Sequence, residues 1–236
     1  EILPSVGNPA GLFYGYQTDG VFSTSAEAAA YGKSHQNADG QTTTNLYMEN
    51  SAGQKIDFQA GDVHFIDQNG DGIIGEADKT IIGDPNPDIF GNIFASLSWK
   101  RLTLGLNFTY SLGNDIYNYQ RSIINAGSNF YNQQVAETSH WRYEGQQTDI
   151  PRISYGDPQG NNRFSDRWIE DGSYLRLKTV SLTYKIPVPT SWSWLQGLSV
   201  WAEARNVFTL TRYLGNDPEF SIQNGVLYQG IDAGNL

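Results

Sequence analysis

The segment 91-GNIFASLSWKRLTLGLNFTYS-111 constrains the fold more than any other part of the chain. Ile93, Ala95, Leu97 and Trp99 occupy odd positions, whereas Leu102, Leu104, Leu106, Phe108 and Tyr110 occupy even ones. A strict period of two belongs to a strand, because a helix would bring its apolar residues round every three or four positions. The phase flips once, at Lys100-Arg101. A two-residue hairpin turn requires that flip: Trp99 then faces Leu102, and Leu97/Leu104, Ala95/Leu106 and Ile93/Phe108 pair on one face. The opposite face carries Ser98/Thr103, Ser96/Gly105 and Asn92/Thr109, so the ribbon is apolar on one side and small and polar on the other.

A second hairpin is predicted between 173-SYLRLKTVSLTYKIP-187 and 198-LSVWAEARNVFTLTRY-213. Val180, Leu182, Tyr184 and Ile186 alternate, as do Leu198, Val200, Ala202 and Ala204. Leu175 and Leu177 sit on the opposite phase, which a β-bulge near Lys178-Thr179 reconciles. The connection 187-PVPTSWSWLQG-197 places Trp192 and Trp194 at the strand ends. With 25 glycines, 9 prolines and 13% aromatic residues, turns and strands are favoured over helices throughout. The expected class is all-β and mainly antiparallel, with long loops and at most short helices. Residues 1–60 read as a loop-rich start with a few short strands and one helix-prone patch, 25-SAEAAAYG-32, capped by Ser25 and closed by Gly32. The acidic segment 61–92 leads into the hairpins of 93–236, between which lies the polar region 113–172. Loops this long usually carry function.

Several functions are excluded or left without support. The formal charge is −10 and no basic run appears, so nucleic acid has no electrostatic footprint here. There is no cysteine, hence no disulfide, thiolate metal site or cysteine nucleophile. No apolar run approaches the roughly 20 residues of a membrane helix, and 1-EILPSVGNPA-10 has neither the charged start nor the apolar stretch of a signal peptide. The chain therefore reads as cytosolic or as an internal piece of something longer. His35, His64 and His140 are scattered without ligand spacing. Glu170, Asp171 and Glu203 are the carboxylates that a glycosidase pair would draw on, but nothing in the spacing pairs them. No glycine-rich phosphate loop with a following lysine is present. Tyr117, Tyr119, Phe130, Tyr131, Trp141 and Tyr143 lie among Asn and Gln in the long loops, a mixture suited to stacking on sugars or peptides and equally to packing against the protein itself.

One stretch has metal-ligand spacing. In 67-DQNGDGIIGEAD-78, Asp67 stands at position 1 of a twelve-residue loop, Asn69 at 3, Asp71 at 5, Gly72 at 6, Ile73 at 7 and Asp78 at 12. Calcium takes six to eight oxygens, and this order offers side-chain oxygens at 1, 3 and 5, a backbone carbonyl at 7, a closing carboxylate and a glycine for the sharp turn. Asp78 replaces the glutamate usual at position 12, and Glu76 contributes only from outside. The alternative is an Asx-rich turn that folds without metal. In either case the expected role is structural, bracing a loop.

Four segments together resemble one family: 11-GLFYGYQTDGVF-22, 61-GDVHFIDQNGDGIIGEADKTIIGDPNPDIFGN-92, 168-WIEDGSYLRLKTVSLTYKIP-187 and 205-RNVFTLTRYLGNDPE-219. They are similar to SusC/RagA-like TonB-dependent outer-membrane transporters of the Bacteroidetes type. The resemblance implies a C-terminal part of a large transmembrane barrel, with the signal sequence, TonB box and plug lying upstream and the last barrel strand lying beyond 231-IDAGNL-236. It implies uptake of oligosaccharides or peptides with a SusD-like surface lipoprotein as lid and TonB supplying force, and no covalent chemistry by this chain. The residue pattern agrees: strands of about ten residues, short turns on the periplasmic side and long loops outside describe such barrels. Trp99, Trp192, Trp194 and Trp201 suit their interfacial aromatic girdles.

The competing expectation is a soluble secreted carbohydrate-binding β-sandwich with a structural calcium, in which the apolar stripes would form a core between two sheets.

Overall fold

The computed structural model describes residues 2–3, 7–31, 35–36, 42–43, 47–49, 54–189, 191–192, 194–220 and 229–234. They fall into two compact units, one made of residues 86–115 and 171–220, the other of 1–85, 116–170 and 221–236.

The first unit is a four-stranded antiparallel sheet of Ile89–Trp99, Leu102–Leu112, Tyr174–Ile186 and Leu198–Thr211, in that spatial order. The first hairpin has the predicted register throughout, with Trp99 opposite Leu102, Leu97 opposite Leu104, Ala95 opposite Leu106 and Ile93 opposite Phe108. Lys100 adopts φ 56°, the left-handed conformation that a tight hairpin turn demands. The apolar rows continue across the sheet: Leu104 faces Leu182, which faces Ala202, and Leu102 faces Tyr184, which faces Val200. The register shifts between Leu177 and Thr179, leaving Lys178 unpaired, and so places the predicted bulge. On the fourth strand Asn206 takes φ 51° beside that irregularity. The bulge restores Leu175 and Leu177 to the apolar face, opposite Leu210 and Phe208.

That face is open. Leu97 is 69% exposed, Trp99 67% and Val200 57%. A β-sandwich needs such a face covered by a second sheet, so the soluble-sandwich expectation fails on this sheet. The opposite face is open too at Phe90, Phe94 and Trp201, but it carries a polar anchor. Arg176, buried and in the row of Asn92, Thr109 and Thr209, donates from Nε to Thr209 Oγ1 at 2.9 Å and from Nη1 to Glu219 at 2.9 Å, and its Nη2 reaches Asp217. Lys178 Nζ adds a 2.5 Å bond to Glu219. These ion pairs hold the 213–219 segment to the sheet.

Trp201 corrects one expectation. It lies opposite Thr183 and therefore on the polar face, whereas Trp99 lies on the apolar one. The alternation Leu198, Val200, Ala202 fixes this parity and excludes Trp201 from an outward girdle. Trp192 and Trp194 stack at 5.9 Å between their ring centroids in the connection between the third and fourth strands.

The second unit is built from short strands around Tyr16, Met48, Val63, Phe65 and Ile74, with Tyr31, Ile56 and Phe58 packed against them. Leu12–Gly15 lies between Ile2–Leu3 and Thr80–Gly83. Thr18–Val21 pairs with Val63–Phe65. Tyr47–Glu49 runs antiparallel to Lys55–Asp57 and parallel to Ile73–Ile74, and Tyr117-Asn118 runs parallel to Ile231-Asp232. The predicted helix spans Ser25–Tyr31. Its cap is Thr24, not Ser25: Thr24 Oγ1 accepts from Glu27 N at 3.1 Å, while the Glu27 carboxylate reaches back to Ser23 N at 2.8 Å. Ser25 instead bonds Glu144 through its backbone and hydroxyl. Gly32, the proposed stop, lies outside the described residues. A second helix, Tyr119–Ile124, is capped by Asn118, whose side chain accepts from Arg121 N at 2.9 Å.

The region 113–172 is long and largely irregular, as read, but it is not a free loop. Its residues 116–170 belong to the same compact unit as residues 1–85.

Candidate functional site

The acidic loop folds on its own hydrogen bonds. Asp67 accepts from Gly70 N at 2.7 Å and from Gly72 N at 2.9 Å. Asn69 accepts from Asp71 N at 2.8 Å and donates to Asp71 Oδ2 at 2.9 Å, and Asp71 Oδ1 accepts from Ile73 N at 2.8 Å. These are Asx turns in series, each side chain capturing a backbone N–H two or more residues on. Gly70 and Gly72 take φ 73° and 83°, so the chain reverses where a side chain would be strained. Ile73-Ile74 then enters the small sheet beside Tyr47-Met48.

Asp78 closes the loop from inside. It is fully buried and accepts from Gly75 N at 2.8 Å, Gln68 N at 3.0 Å and Asn69 N at 3.4 Å. Burial pushes its carboxyl above the usual range; the three N–H bonds oppose this and the Asp67 charge adds to it. Glu76 turns away to Lys79 Nζ at 2.6 Å.

All five expected ligands thus belong to one loop, and the side chains of Asp67, Asn69, Asp71 and Asp78 each accept from at least one of its backbone N–H groups. Among the described residues no three His, Cys, Asp or Glu side chains gather as a metal-holding group. The donor types suit calcium.

A second polar constellation was missed in the sequence. Asp62, fully buried, receives Arg152 Nε at 2.8 Å and Nη2 at 3.2 Å, Asn161 Nδ2 at 3.1 Å and Gln59 N at 2.8 Å. Asn161 Oδ1 in turn accepts from Val63 N at 2.8 Å. The partners are about a hundred residues apart, so no local pattern announces them. They tie the irregular 141–167 stretch to the strand Val63–Phe65, and Trp141 Nε1 adds a 3.1 Å bond to the Ser23 carbonyl. Nearby, the guanidiniums of Arg121 and Arg167 stand over the Trp168 ring, 5.7 and 5.0 Å from its centroid. Burial lowers the Arg167 pKa to about 10, with the Arg121 charge contributing. Burial raises that of Glu137, against the pull of both arginines.

The remaining candidates separate. His64 stacks on Phe22 at 4.6 Å and meets Tyr31 edge-on at 3.9 Å, and burial lowers its pKa. His140 bonds its own turn, through Nδ1 to the Glu137 carbonyl. Glu170 pairs with Arg121 at 2.6 Å and Glu203 with Arg205 at 2.5 Å. Asp171 accepts from Ser173 N. Each of the three is engaged structurally. Tyr117, half-buried, packs on Phe13, Tyr119 and Phe164. Phe130, Tyr131 and Tyr143 are exposed, and Phe130 stacks on Tyr155 at 5.1 Å. Phe130, Tyr131 and Tyr155, with Asn129, Gln133 and Ile153, line an open cleft of about 300 Å³ that holds no charged side chain.

Known proteins give the frame for this geometry. No family model matches the chain. It is 30% identical to TonB-dependent receptor P3 of Formosa agariphila over 219 residues, 92% of this chain and 19% of the relative. The chain belongs to the TonB-dependent receptors of the SusC/RagA type. TonB-dependent receptor SusC of Bacteroides thetaiotaomicron is 25% identical over 72% of this chain and 16% of its own length. Among solved structures, that of the RagAB peptide importer in the closed-closed state superposes with a TM-score of 0.63 over 98% of this chain and 22% of the importer chain, at 23% identity. This last likeness carries the fold. The chain spans about a fifth or less of the length of the curated receptors it matches. Each of these relatives is named as a receptor rather than an enzyme. The four long strands are a segment of a TonB-dependent receptor barrel, and their place is the outer membrane.

Proposed function

We propose that this segment supplies wall strands and loops to an importer that draws oligosaccharides or peptides across the outer membrane. In this reading a SusD-like surface lipoprotein captures the substrate and TonB supplies the force. The observation that supports it most is the match to receptor P3 over nearly the whole chain, joined to a sheet whose apolar face is open as a lipid-facing wall must be. The uncharged aromatic and carboxamide cleft around Phe130 and Tyr155 is a substrate contact of neutral character, suited to sugar rings. The test is growth of a strain deleted for the full-length receptor, complemented with wild type or with Phe130→Ala/Tyr155→Ala, on a panel of oligosaccharides and peptides. Loss of uptake of at least one substrate class on deletion is expected. Unchanged growth on every source, with no lipoprotein co-purifying with the receptor, would defeat the reading.

The acidic loop braces this unit. We propose that calcium, bound through Asp67, Asn69, Asp71, the Ile73 carbonyl and Asp78, strengthens a loop that already closes on hydrogen bonds. The hard oxygen donors support it, as does the proximity of Asp67 and Asp78, whose repulsion a dication would relieve. Calorimetric titration of the full-length receptor with calcium, against Asp71→Ala, checks it; identical heats for both proteins would remove the ion from the loop.

A further inference from the structure

At the short-turn end of the four-stranded sheet, Trp99, Leu102 and Tyr184 share the apolar face. With Lys100 and Arg101 they line an open cleft of about 670 Å³. Lys100 Nζ stands 4.8 Å from the centroid of the Trp99 ring, which is itself mostly exposed. Neither Lys100 nor Arg101 has an ion-pair partner among the described residues. Elsewhere in the same unit Arg176 and Lys178 pair with Asp217 and Glu219, and Arg205 pairs with Glu203. Two cations without an ion pair thus line the rim of an apolar surface, Lys100 directly over the Trp99 ring.

We propose that this cleft binds an anionic phospholipid of the periplasmic leaflet. The proposal rests on the barrel reading, which turns the apolar face to lipid and puts short turns on the periplasmic side. The phosphodiester lies against Lys100 and Arg101, where a guanidinium offers a bidentate fork and the ammonium a point charge. The glycerol and acyl chains lie on Trp99, Leu102 and Tyr184, and further down on Leu104 and Leu182 of the same face. A zwitterionic headgroup brings its own cation towards these two and gains less. A soluble phosphate would use the cations and waste the apolar floor.

The experiment uses the full-length receptor in mixed-lipid nanodiscs, labelled by phosphatidylglycerol or phosphatidylcholine carrying a photoreactive acyl chain, with labelled peptides mapped by mass spectrometry. The peptide containing residues 97–104 is expected to take the phosphatidylglycerol label at least tenfold more than the phosphatidylcholine label. Lys100→Gln/Arg101→Gln is expected to lower it about 30-fold, corresponding to about 1 kcal/mol for each cation near an anionic surface. The charge-preserving swap Lys100→Arg/Arg101→Lys keeps it, which separates charge loss from a folding defect. Equal labelling by the two lipids, an unchanged double variant, or displacement by millimolar glycerol phosphate would each overturn the proposal. Cell fractionation reports on the underlying reading: a receptor found outside the outer membrane overturns both, whereas a correctly located receptor without selective labelling overturns the lipid site alone.

Discussion

Arg152→Met removes the guanidinium that faces the buried Asp62. The substitution keeps most of the side-chain bulk and deletes three charge-assisted bonds, two to Asp62 at 2.8 and 3.2 Å and one to Gln59 Oε1 at 3.0 Å. Asp62 keeps Gln59 N and Asn161 Nδ2, so its carboxylate is left partly satisfied but without a neutralising charge. Breaking a buried pair from one side costs about 3–5 kcal/mol. The Arg152 side chain is 25% exposed, and two acceptor contacts survive, so the lower end, about 3 kcal/mol, is the better figure. That raises local opening on the order of 100-fold. Hydrogen exchange on the full-length receptor reads it at Val63 N, bonded to Asn161, and at Arg152 N, bonded to the Gly61 carbonyl at 2.8 Å. Both amides should accelerate together, while those of the Leu104–Leu182 ladder stay unchanged. Acceleration below about threefold would mean that the pair is not what joins the 141–167 stretch to the strand.

Asp71→Ala deletes the bonds to Ile73 N and Asn69 Nδ2, so local stability should fall by about 1 kcal/mol in chelator and by clearly more in calcium, measured as a shift in protease susceptibility around residue 70. Equal losses in the two buffers would count against the ion. Gly61→Ala and Gly70→Ala both place a side chain at positive φ, which costs on the order of 1 kcal/mol, but a Cβ at 61 would come within 2.5 Å of Trp141 while one at 70 meets nothing. The first variant should therefore be the more damaging by about 1–3 kcal/mol in denaturant-titrated proteolysis. Glu137 has its folded pKa raised by burial, so the folded state holds the proton more tightly than the unfolded one and stability falls as pH rises from about 4.5 through the folded pKa. Glu137→Gln should flatten that part of a pH–stability profile and leave stability at pH 7 unchanged or slightly higher; a lower value there would show that the charge supports Arg121 and Arg167 more than burial penalises it.

The sheet was readable because its information is local. A period of two, one phase flip and one broken phase fix the strands, the turn and the bulge: the first hairpin has the expected register residue for residue, and the shift in the second falls at the expected bulge. Trp201 went wrong where composition was allowed to outrank that same period. The acidic loop was legible as a loop, since Asp, Asn and Gly at these spacings close turns by themselves, but whether oxygens gather on an ion depends on how far each carboxylate is consumed by backbone N–H groups. Asp62, Arg152 and Asn161 were invisible because the contact joins distant segments of low periodicity. The aromatic residues of the long region divided for the same reason: Tyr117 is half-buried against Phe164 and Phe130 is surface, and only the packing of the unit distinguishes two aromatic residues in similar polar surroundings.

The four-stranded sheet also says what it needs. Ile89–Trp99 and Leu198–Thr211 each have a single strand partner among the described residues, and both carry a ladder of outward backbone groups along 11 and 14 residues. In hydrocarbon each unsatisfied group costs several kcal/mol, so an open sheet with these edges cannot stand in a membrane; further strands must continue it on both sides until it closes. In water the edges can be hydrated, but the apolar face cannot: Leu97, Trp99, Val200 and Leu210 are all more than half exposed. A chain of residues 1–236 produced alone should consequently associate through its edges and its apolar face, and should be dispersed by detergent. Sedimentation velocity with and without detergent tests this. A monodisperse monomer in detergent-free buffer would show that some other element covers the face, and would remove the physical ground for placing these strands in a bilayer.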